Sequence, residues 1–287
     1  MLNVVENQIT KFINDNIIIN RKILSNAFNM RCEKITLNNN DVFVAKYYIQ
    51  AYANFNSILS EAHSLIYLTN RFPKLFPSIK FYSENLLIID FIEHNNIKNE
   101  DYQEKLAIEI SRIHNVNSDK YGFSFDAQIG GLKQSNDFDS NWINFFREKR
   151  LNMIFEKINN TNPMPRHINK KIEKLLINLD NYLPKNPRAS LLHGDLWSGN
   201  ILYHNGELAG LIDPGIYFGH NELEIAYLTW FKFIDNNFLE KYSNITKIDK
   251  YFLQYEPIYQ LYFSLLNVHL WSRKYISDTN SLLNKII

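Results

Sequence analysis

Three polar residues of this chain stand at a spacing that chemistry can use. Asp195 and Asn200 lie in His193-Gly194-Asp195-Leu196-Trp197-Ser198-Gly199-Asn200, an H-x-D-x-x-x-x-N pattern. Asp213 follows a short hairpin-like segment, in Leu211-Ile212-Asp213-Pro214-Gly215. A carboxylate placed like Asp195 can accept the proton of an attacking hydroxyl, while an amide oxygen and a second carboxylate hold magnesium on phosphate oxygens. That is the layout of a catalytic loop and its second metal-binding Asp in phosphoryl transfer from ATP. Taken singly, each residue is ordinary: an Asp in a turn, an Asn in a turn, an Asp initiating a turn before Pro214. The joint arrangement carries the reading. Gly194 and Gly199 permit tight backbone turns around Asp195, and His193 is read as a structural residue of the loop rather than a base.

A phosphate-binding lysine is expected upstream. Lys46 ends the strand-like run Val42-Phe43-Val44-Ala45-Lys46, which follows the V-A-I-K pattern. Glu61, on the following helix, is the expected partner that turns Lys46 toward the phosphates. The segment expected to cover the phosphates, Ser25-Asn26-Ala27-Phe28-Asn29-Met30, contains no glycine, although Asn tolerates left-handed backbone and partly substitutes for one.

These residues need a scaffold. An amphipathic helix is expected over 3–20, with Val4, Val5, Ile9, Phe12 and Ile13 on one face. Three strand-like pieces follow: Arg21 to Leu24 leading into Ser25–Asn29, Met30 to Leu37, and Val42 to Tyr48, with a turn at Asn38-Asn39-Asn40-Asp41. Ser57 to Tyr67 has helical spacing through Ile58, Ala62, Leu65 and Ile66. Ile79 to Tyr82 and Leu86 to Ile92 read as two more strands. Beyond Glu93 the pattern turns helical: Tyr102 to His114, Trp142 to Ile158, His167 to Tyr182, Glu222 to Phe233 and Pro257 to Tyr275. A loop and hairpin interrupt this run, with Asn200 to Tyr203 and Leu208 to Ile212 joined through Asn205-Gly206. A strand-rich first part and a helix-rich second part imply an α+β, bilobal organisation, divided at 1–92 and 93–287, with a nucleotide expected between the lobes.

The bulk properties agree with an ordinary folded enzyme. The 287 residues are 45% hydrophobic and 14% aromatic, enough to bury a core. Lys+Arg is 31 against Asp+Glu 30, a balance that points to neither nucleic acid nor an anionic membrane as a partner. Cys32 is the one cysteine, so no internal disulfide can form; with no signal-peptide pattern at the start and no apolar run long enough to span a bilayer, a soluble cytoplasmic protein is expected. Cys32 lies near the phosphate-covering segment, where a thiol could be redox-sensitive or plain packing.

The chain closely resembles the fructosamine kinase (ketosamine-3-kinase) family, within the aminoglycoside phosphotransferase and choline kinase group. The resemblance rests on His193 to Asn200 together with Ile212-Asp213-Pro214-Gly215-Ile216-Tyr217-Phe218-Gly219-His220-Asn221-Glu222. Gly130-Gly131-Leu132-Lys133-Gln134-Ser135-Asn136, with Trp142 to Phe146 and Arg150-Leu151, matches a second block, and Ile258 to Tyr262 with Leu265-Leu266-Asn267 a third. The resemblance implies a protein-kinase-like bilobal fold, with a small antiparallel-sheet N-lobe and a larger, mainly helical C-lobe. It also implies ATP- and magnesium-dependent phosphorylation of the 3-hydroxyl of a ketosamine, small or protein-bound, after which the 3-phosphate eliminates and frees the amine. Carried over by position, Asp195 is the base, Asn200 and Asp213 hold magnesium, and Lys46 and Glu61 orient the phosphates. Asp90 and Ile92, at the end of the fifth strand, are placed with them as nucleotide-binding residues. Trp197, His220 and Glu222 are assigned to the substrate, and His193 and Glu224 to support of the loop. The family commonly shows G-H-R-E-x-D-L-A where this chain has Gly219-His220-Asn221-Glu222-Leu223-Glu224-Ile225-Ala226. Asn221 thus loses a charge, and Glu224 keeps a carboxylate one methylene longer.

Two other readings stay open at the level of sequence. One is a phosphotransferase for another hydroxylated amine, such as an aminoglycoside or choline. The other is a non-catalytic kinase-fold protein that binds ATP, whose support is the glycine-free loop.

Overall fold

The computed structural model describes residues 2–52 and 54–286. They form two compact units: one of Met1–Asn99, Ala127–Lys133 and Gly199–Gly215, the other of Glu100–Asp126, Gln134–Ser198 and Ile216–Ile287. The architecture is α+β, with a small antiparallel sheet and many helices.

The first unit is built on a five-stranded sheet of β1 (Ile18–Ala27), β2 (Met30–Leu37), β3 (Val42–Tyr48), β4 (Ile79–Tyr82) and β5 (Leu86–Asp90), in the order β1-β2-β3-β5-β4. All its pairings are antiparallel. Register decides which residues share a face, because side chains alternate along a strand. Cys32 pairs with Lys46 and Leu87 with Lys46, while Glu33 pairs with Ala45 and Asp90 with Phe43. One face therefore carries Cys32, Val44, Lys46 and Leu87. The other carries Ile35, Phe43, Ala45, Tyr47, Leu86 and Ile88, which pack with Val5, Ile9 and Ile13 of helix α1 (Leu2–Ile13).

Helix α1 is shorter than the expected 3–20. It stops at Ile13, Asn14 takes a left-handed φ of 54°, and Ile18 to Asn20 already belong to β1. The β-branched run Ile17-Ile18-Ile19 prefers the strand, and pairing with Leu37 and Thr36 satisfies its backbone. Val4, expected on the apolar face, is exposed.

Helix α2 (Ser57–Arg71) starts where Asn56 caps it, its side chain accepting from the Leu59 amide at 3.1 Å. Two later stretches of chain complete this unit. Residues 127–131 carry β7 (Ala127–Ile129), which lies against α2 and leads through Gly130 and Gly131 into β8 (Leu132–Gln134). The hairpin β10 (Ile201–His204) and β11 (Glu207–Leu211) is tied to earlier residues by main-chain bonds, Asn95 and Asn96 amides to the Tyr203 carbonyl and the Leu211 amide to the Leu75 carbonyl.

The second unit is mainly helical. Its centre is α9 (Phe252–Leu270), continuously buried from Ile258 to Val268, against which α7 (Glu222–Trp230) and α10 (Ile276–Ile286) pack. Helix α3 (Tyr102–His114) packs on α8 (Asn236–Ile245). A three-stranded sheet, β12 (Tyr217–His220), β9 (Ala189–Leu192) and β6 (Asn117–Ser118), supports the loop after Leu192. Helix α9 begins five residues before the expected start at Pro257, which sits inside it. Proline removes a single donor there, and the carbonyl it leaves is that of Leu253, on the exposed side of the helix. The expected Trp142–Ile158 helix is three pieces: α4 (Trp142–Phe146), a π-helical turn over Arg147–Asn152, and α5 (Met153–Thr161). The wider turn lets Arg150 bury its guanidinium over the Tyr217 ring at 3.9 Å, donating to the Ser135 carbonyl at 2.9 Å and Asn136 Oδ1 at 2.7 Å. The remaining helix, α6 (Arg166–Ile177), is followed by a 3₁₀ turn over Leu179–Asn181.

Candidate active site

In the first unit, Lys46 points from β3 at two carboxylates. Its Nζ lies 2.5 Å from Glu61 Oε1 on α2 and is also hydrogen-bonded to Asp213 Oδ1, just past β11. Lys46 and Glu61 are buried, whereas the Asp213 side chain keeps 39% exposure, so the cluster opens toward solvent on the Asp213 side. Burial alone would pull the Lys46 ammonium down, but Asp213 and Glu61 outweigh it and hold it well above the usual lysine range. A permanently charged ammonium between two carboxylates suits a polyanion that arrives with a cation of its own.

Asn200 comes next to this cluster through the backbone. The Ile212 amide donates to the Asn200 carbonyl at 3.0 Å, which brings the start of β10 beside the residue before Asp213. Asp213 itself takes a left-handed φ of 58°, and Gly215 follows with its Cα pressed on the hairpin of β7. A Cβ at Gly215 would lie 2.2 Å from the Gln128 carbonyl oxygen, so only glycine lets these backbones approach. Asp213 and Asn200 offer a carboxylate and an amide oxygen, a hard donor set; no group of three or more His, Cys, Asp or Glu able to hold a metal exists among the described residues. That suits magnesium, which keeps several waters and takes phosphate oxygens rather than a full protein cage.

The glycine-free segment closes as a two-residue hairpin turn between Ala27 and Met30, with Phe28 and Asn29 both left-handed at φ 52° and 63°. Asn29 anchors the turn: its carbonyl accepts from the Ile49 amide at 3.0 Å and its Nδ2 donates to the Gln50 carbonyl at 2.9 Å. A bulky residue in this conformation is uncommon, and Phe28 rests on Gly131, where an added Cβ would sit 3.1 Å from the Phe28 Cβ. The glycine thus stands across the contact from the turn instead of within it.

Asp90 and Ile92 take separate positions. The Asp90 carboxylate is on the α1 face of the sheet, 2.9 Å from Lys80 Nζ, away from the Lys46 face. The Ile92 carbonyl meets His94 Nδ1 at 2.8 Å, and its side chain packs over Gly210 of β11. Burial pushes the Cys32 thiol, opposite Lys46, up to about 12, which disfavours the nucleophilic thiolate.

In the second unit, Asp195 sits on the loop that leaves β9. Both oxygens of Glu224, on α7, bind this loop: Oε2 accepts the His193 amide at 3.1 Å and Oε1 the Gly194 amide at 2.6 Å. The Asp195 amide meets His193 Nδ1 at 3.3 Å. Glu224 is buried, which would raise its carboxyl, but the hydrogen bonds it receives from His114 and the Gly194 amide hold it below the usual range. His114 Nε2 lies 2.9 Å from Glu224 Oε2, and its Nδ1 lies 2.6 Å from the Tyr242 hydroxyl.

Trp197 stands 39% exposed beside this loop. His220 and Glu222 do not share its exposure. His220 Nδ1 is 2.8 Å from the Tyr259 hydroxyl, which also accepts from Trp142 Nε1. Burial pulls His220 down to about 3, so its ring is neutral and the 3.6 Å approach to Glu222 is not an ion pair. Glu222 accepts from the Asp249 amide at 2.5 Å and from the Tyr255 hydroxyl, and burial pushes it up to about 7. His114 and Tyr242 are parts of the loop support that the sequence reading did not single out. Their signal was a polar residue beside the Leu106, Ile110 and Ile113 face of α3, and a tyrosine on the inner face of α8, neither distinguishable from core without partners in view.

A family model described as fructosamine kinase matches residues 1–287. The probable ketoamine kinase of Vibrio cholerae is 28% identical over 203 residues, covering 70% of this chain and 69% of that protein. The chloroplastic protein-ribulosamine 3-kinase of Arabidopsis thaliana is 28% identical over 204 residues, covering 69% of this chain and 60% of the longer plant protein. A crystal structure assigned to a fructosamine-3-kinase of Thermobifida fusca superposes with a TM-score of 0.87 at 20% identity, covering 99% of this chain and 98% of that one.

Proposed function

The chain belongs to the fructosamine kinase family, a phosphotransferase family acting on a hydroxyl, and we propose that it transfers the γ-phosphoryl group of ATP to the 3-hydroxyl of a ketosamine. The observation that carries the reading is the Lys46–Glu61–Asp213 cluster in a chain whose Asp195 loop is clamped through two amides by Glu224. Lys46, held by Glu61, takes the phosphate oxygens of ATP. Asn200 and Asp213 are the residues that would hold magnesium, which when bound would neutralise charge on the phosphates. Asp195 accepts the proton of the 3-hydroxyl as its oxygen forms the new bond to phosphorus, and the bond from the γ-phosphorus to the bridging oxygen breaks, leaving ADP. The ketosamine 3-phosphate then eliminates phosphate and frees the amine. The family, and relatives that act on ribulosamines and ketoamines, support this acceptor class. The acidic residues that would have received a cationic aminoglycoside, Glu222 and Glu224, are both buried and hydrogen-bonded within their own unit.

A substrate panel tests the reading. ATP turnover on ribulose-lysine or fructose-lysine, exceeding that on choline and aminoglycosides, is expected. Turnover confined to an aminoglycoside or choline would overturn it. MgATP at millimolar concentration is expected to raise Tm, because a ligand that binds only the native state stabilises it.

A further inference from the structure

Two buried hydroxyl and amide groups stand behind the clamp on the Asp195 loop, and their hydrogen-bond directions can be counted. Asn221 Nδ2 donates to the Tyr242 hydroxyl oxygen at 2.9 Å. The Tyr242 hydroxyl lies 2.6 Å from His114 Nδ1, and His114 Nε2 lies 2.9 Å from Glu224 Oε2. All four residues are buried. With Asn221 donating to the Tyr242 oxygen, His114 Nδ1 is the acceptor these partners offer to the one hydroxyl proton. The ring proton of His114 is then on Nε2, where it donates to Glu224 Oε2. Glu224 still has the lone pairs to receive the His193 and Gly194 amides at 3.1 and 2.6 Å. Were both ring nitrogens protonated, the Tyr242 oxygen would face two donors and its own proton would have no acceptor among these partners. Burial pushes the Tyr242 phenol upward, so it keeps its proton.

We propose that Tyr242 is a positioning residue for the Asp195 loop: its hydroxyl, oriented by Asn221, fixes His114 as the Nε2–H tautomer, and that tautomer keeps Glu224 on the two loop amides. The proposal rests on the reading of Asp195 as the base. It goes beyond that reading by placing the origin of the loop's geometry on α8, away from the reacting atoms. An imidazole in the wrong tautomer would present a lone pair to a carboxylate, and a buried acceptor facing an acceptor is costly.

The test uses Tyr242→Phe, which keeps the ring and its packing on Phe238 (centroids 5.7 Å apart, 10° between planes) and removes only the hydroxyl. Long-range ¹⁵N–¹H spectra of histidine-labelled protein report the tautomer, with His114→Gln assigning the signal. Wild type is expected to show His114 as Nε2–H with Nδ1 accepting a hydrogen bond, and Tyr242→Phe to move the Nδ1 resonance toward that of an unbonded lone pair. The His193 and Gly194 amides should exchange with solvent about tenfold faster in the variant, and kcat should fall about tenfold with KM for ATP unchanged, the scale of one lost buried hydrogen bond. A His114 that reads as Nδ1–H or doubly protonated in wild type at pH 7.5 would overturn the proposal. So would a Tyr242→Phe enzyme with unchanged kcat and unchanged exchange at both amides. The tautomer and exchange readouts need no acceptor substrate, so they decide this proposal separately from the ketosamine reading.

Discussion

A lysine buried between two carboxylates has a different cost of removal from a lysine on a surface. Lys46→Met is close in volume, yet it leaves Glu61 buried with no cation, and breaking a buried pair in this way costs about 3–5 kcal/mol. Replacing both partners, as in Lys46→Met/Glu61→Leu, should recover most of that loss, because no charge is then stranded. Urea unfolding of the two variants checks this: a double variant no more stable than the single one would contradict the structural role given to the pair. Asp195→Asn, by contrast, should leave unfolding unchanged while lowering turnover by at least ~10²-fold, the loss typical of a general base.

Glu222 makes a prediction with a sign. Its folded value, raised by burial to about 7, lies above the ordinary carboxyl value of 4.5. Folded chains therefore keep a proton that unfolded chains have released between those pH values. The contribution to stability is fully present below about 4.5 and is lost as pH rises through about 7. Glu222→Gln carries no proton to lose, so its Tm relative to wild type should climb from pH 5 to pH 8. A constant difference across that range would show that Glu222 titrates in the ordinary carboxyl range. His220 works in the opposite direction: held down to about 3, it contributes stability that is present above 6.5 and lost as the pH falls toward 3.

At the scale of elements, the hairpin of β7 is held by contacts that only small residues allow. Gly215→Ala would push a methyl group into the Gln128 carbonyl, and overpacking of this kind costs typically ~1–3 kcal/mol. Because Gly215 is two residues from Asp213, the same substitution should weaken MgATP binding, read as a smaller Tm rise with nucleotide than in wild type. An unchanged nucleotide shift would separate the hairpin from the Asp213 loop.

Elements whose local and tertiary signals agree were legible in the sequence. The strands Met30–Leu37 and Val42–Tyr48, the helix Tyr102–His114 and the Asn205-Gly206 hairpin have those bounds or nearly so in the structure. What was not legible depends on distant partners. Ile18 to Asn20 continue a helical pattern locally, but β2 supplies them with a strand to pair with. The π turn at Arg147–Asn152 needs the Tyr217 ring and the Ser135 and Asn136 oxygens to make sense of a buried arginine. Of the candidate site residues, Lys46, Glu61 and Asp213 could be picked out by spacing, and the structure brings these three together. The direction of the Asp90 carboxylate could not, since it follows from sheet register, nor could the burial of His220 and Glu222 under Tyr259, Tyr255 and the Asp249 amide.

For the whole molecule, the chain is a fructosamine kinase family member with a kinase-like fold, and no helix among its described residues is long and apolar enough to cross a membrane. Its near-zero net charge of +1 gives no long-range field to gather a polyanionic macromolecule. On the proposed reading, discrimination between a free ketosamine and one on a protein would fall to short-range contacts around exposed residues such as Trp197. Trp197→Ala is expected to raise KM for the ketosamine with little change in KM for ATP, since an aromatic wall binds by area. Equal effects on both constants would place Trp197 outside the acceptor site.

The most direct test of the central claim is magnesium-dependent ADP release from ATP with ribulose-lysine and with fructose-lysine, run beside Asp195→Asn. The account predicts turnover on at least one of the two, lowered by at least ~10²-fold in the variant. No turnover on either acceptor, or a variant as active as wild type, would contradict it.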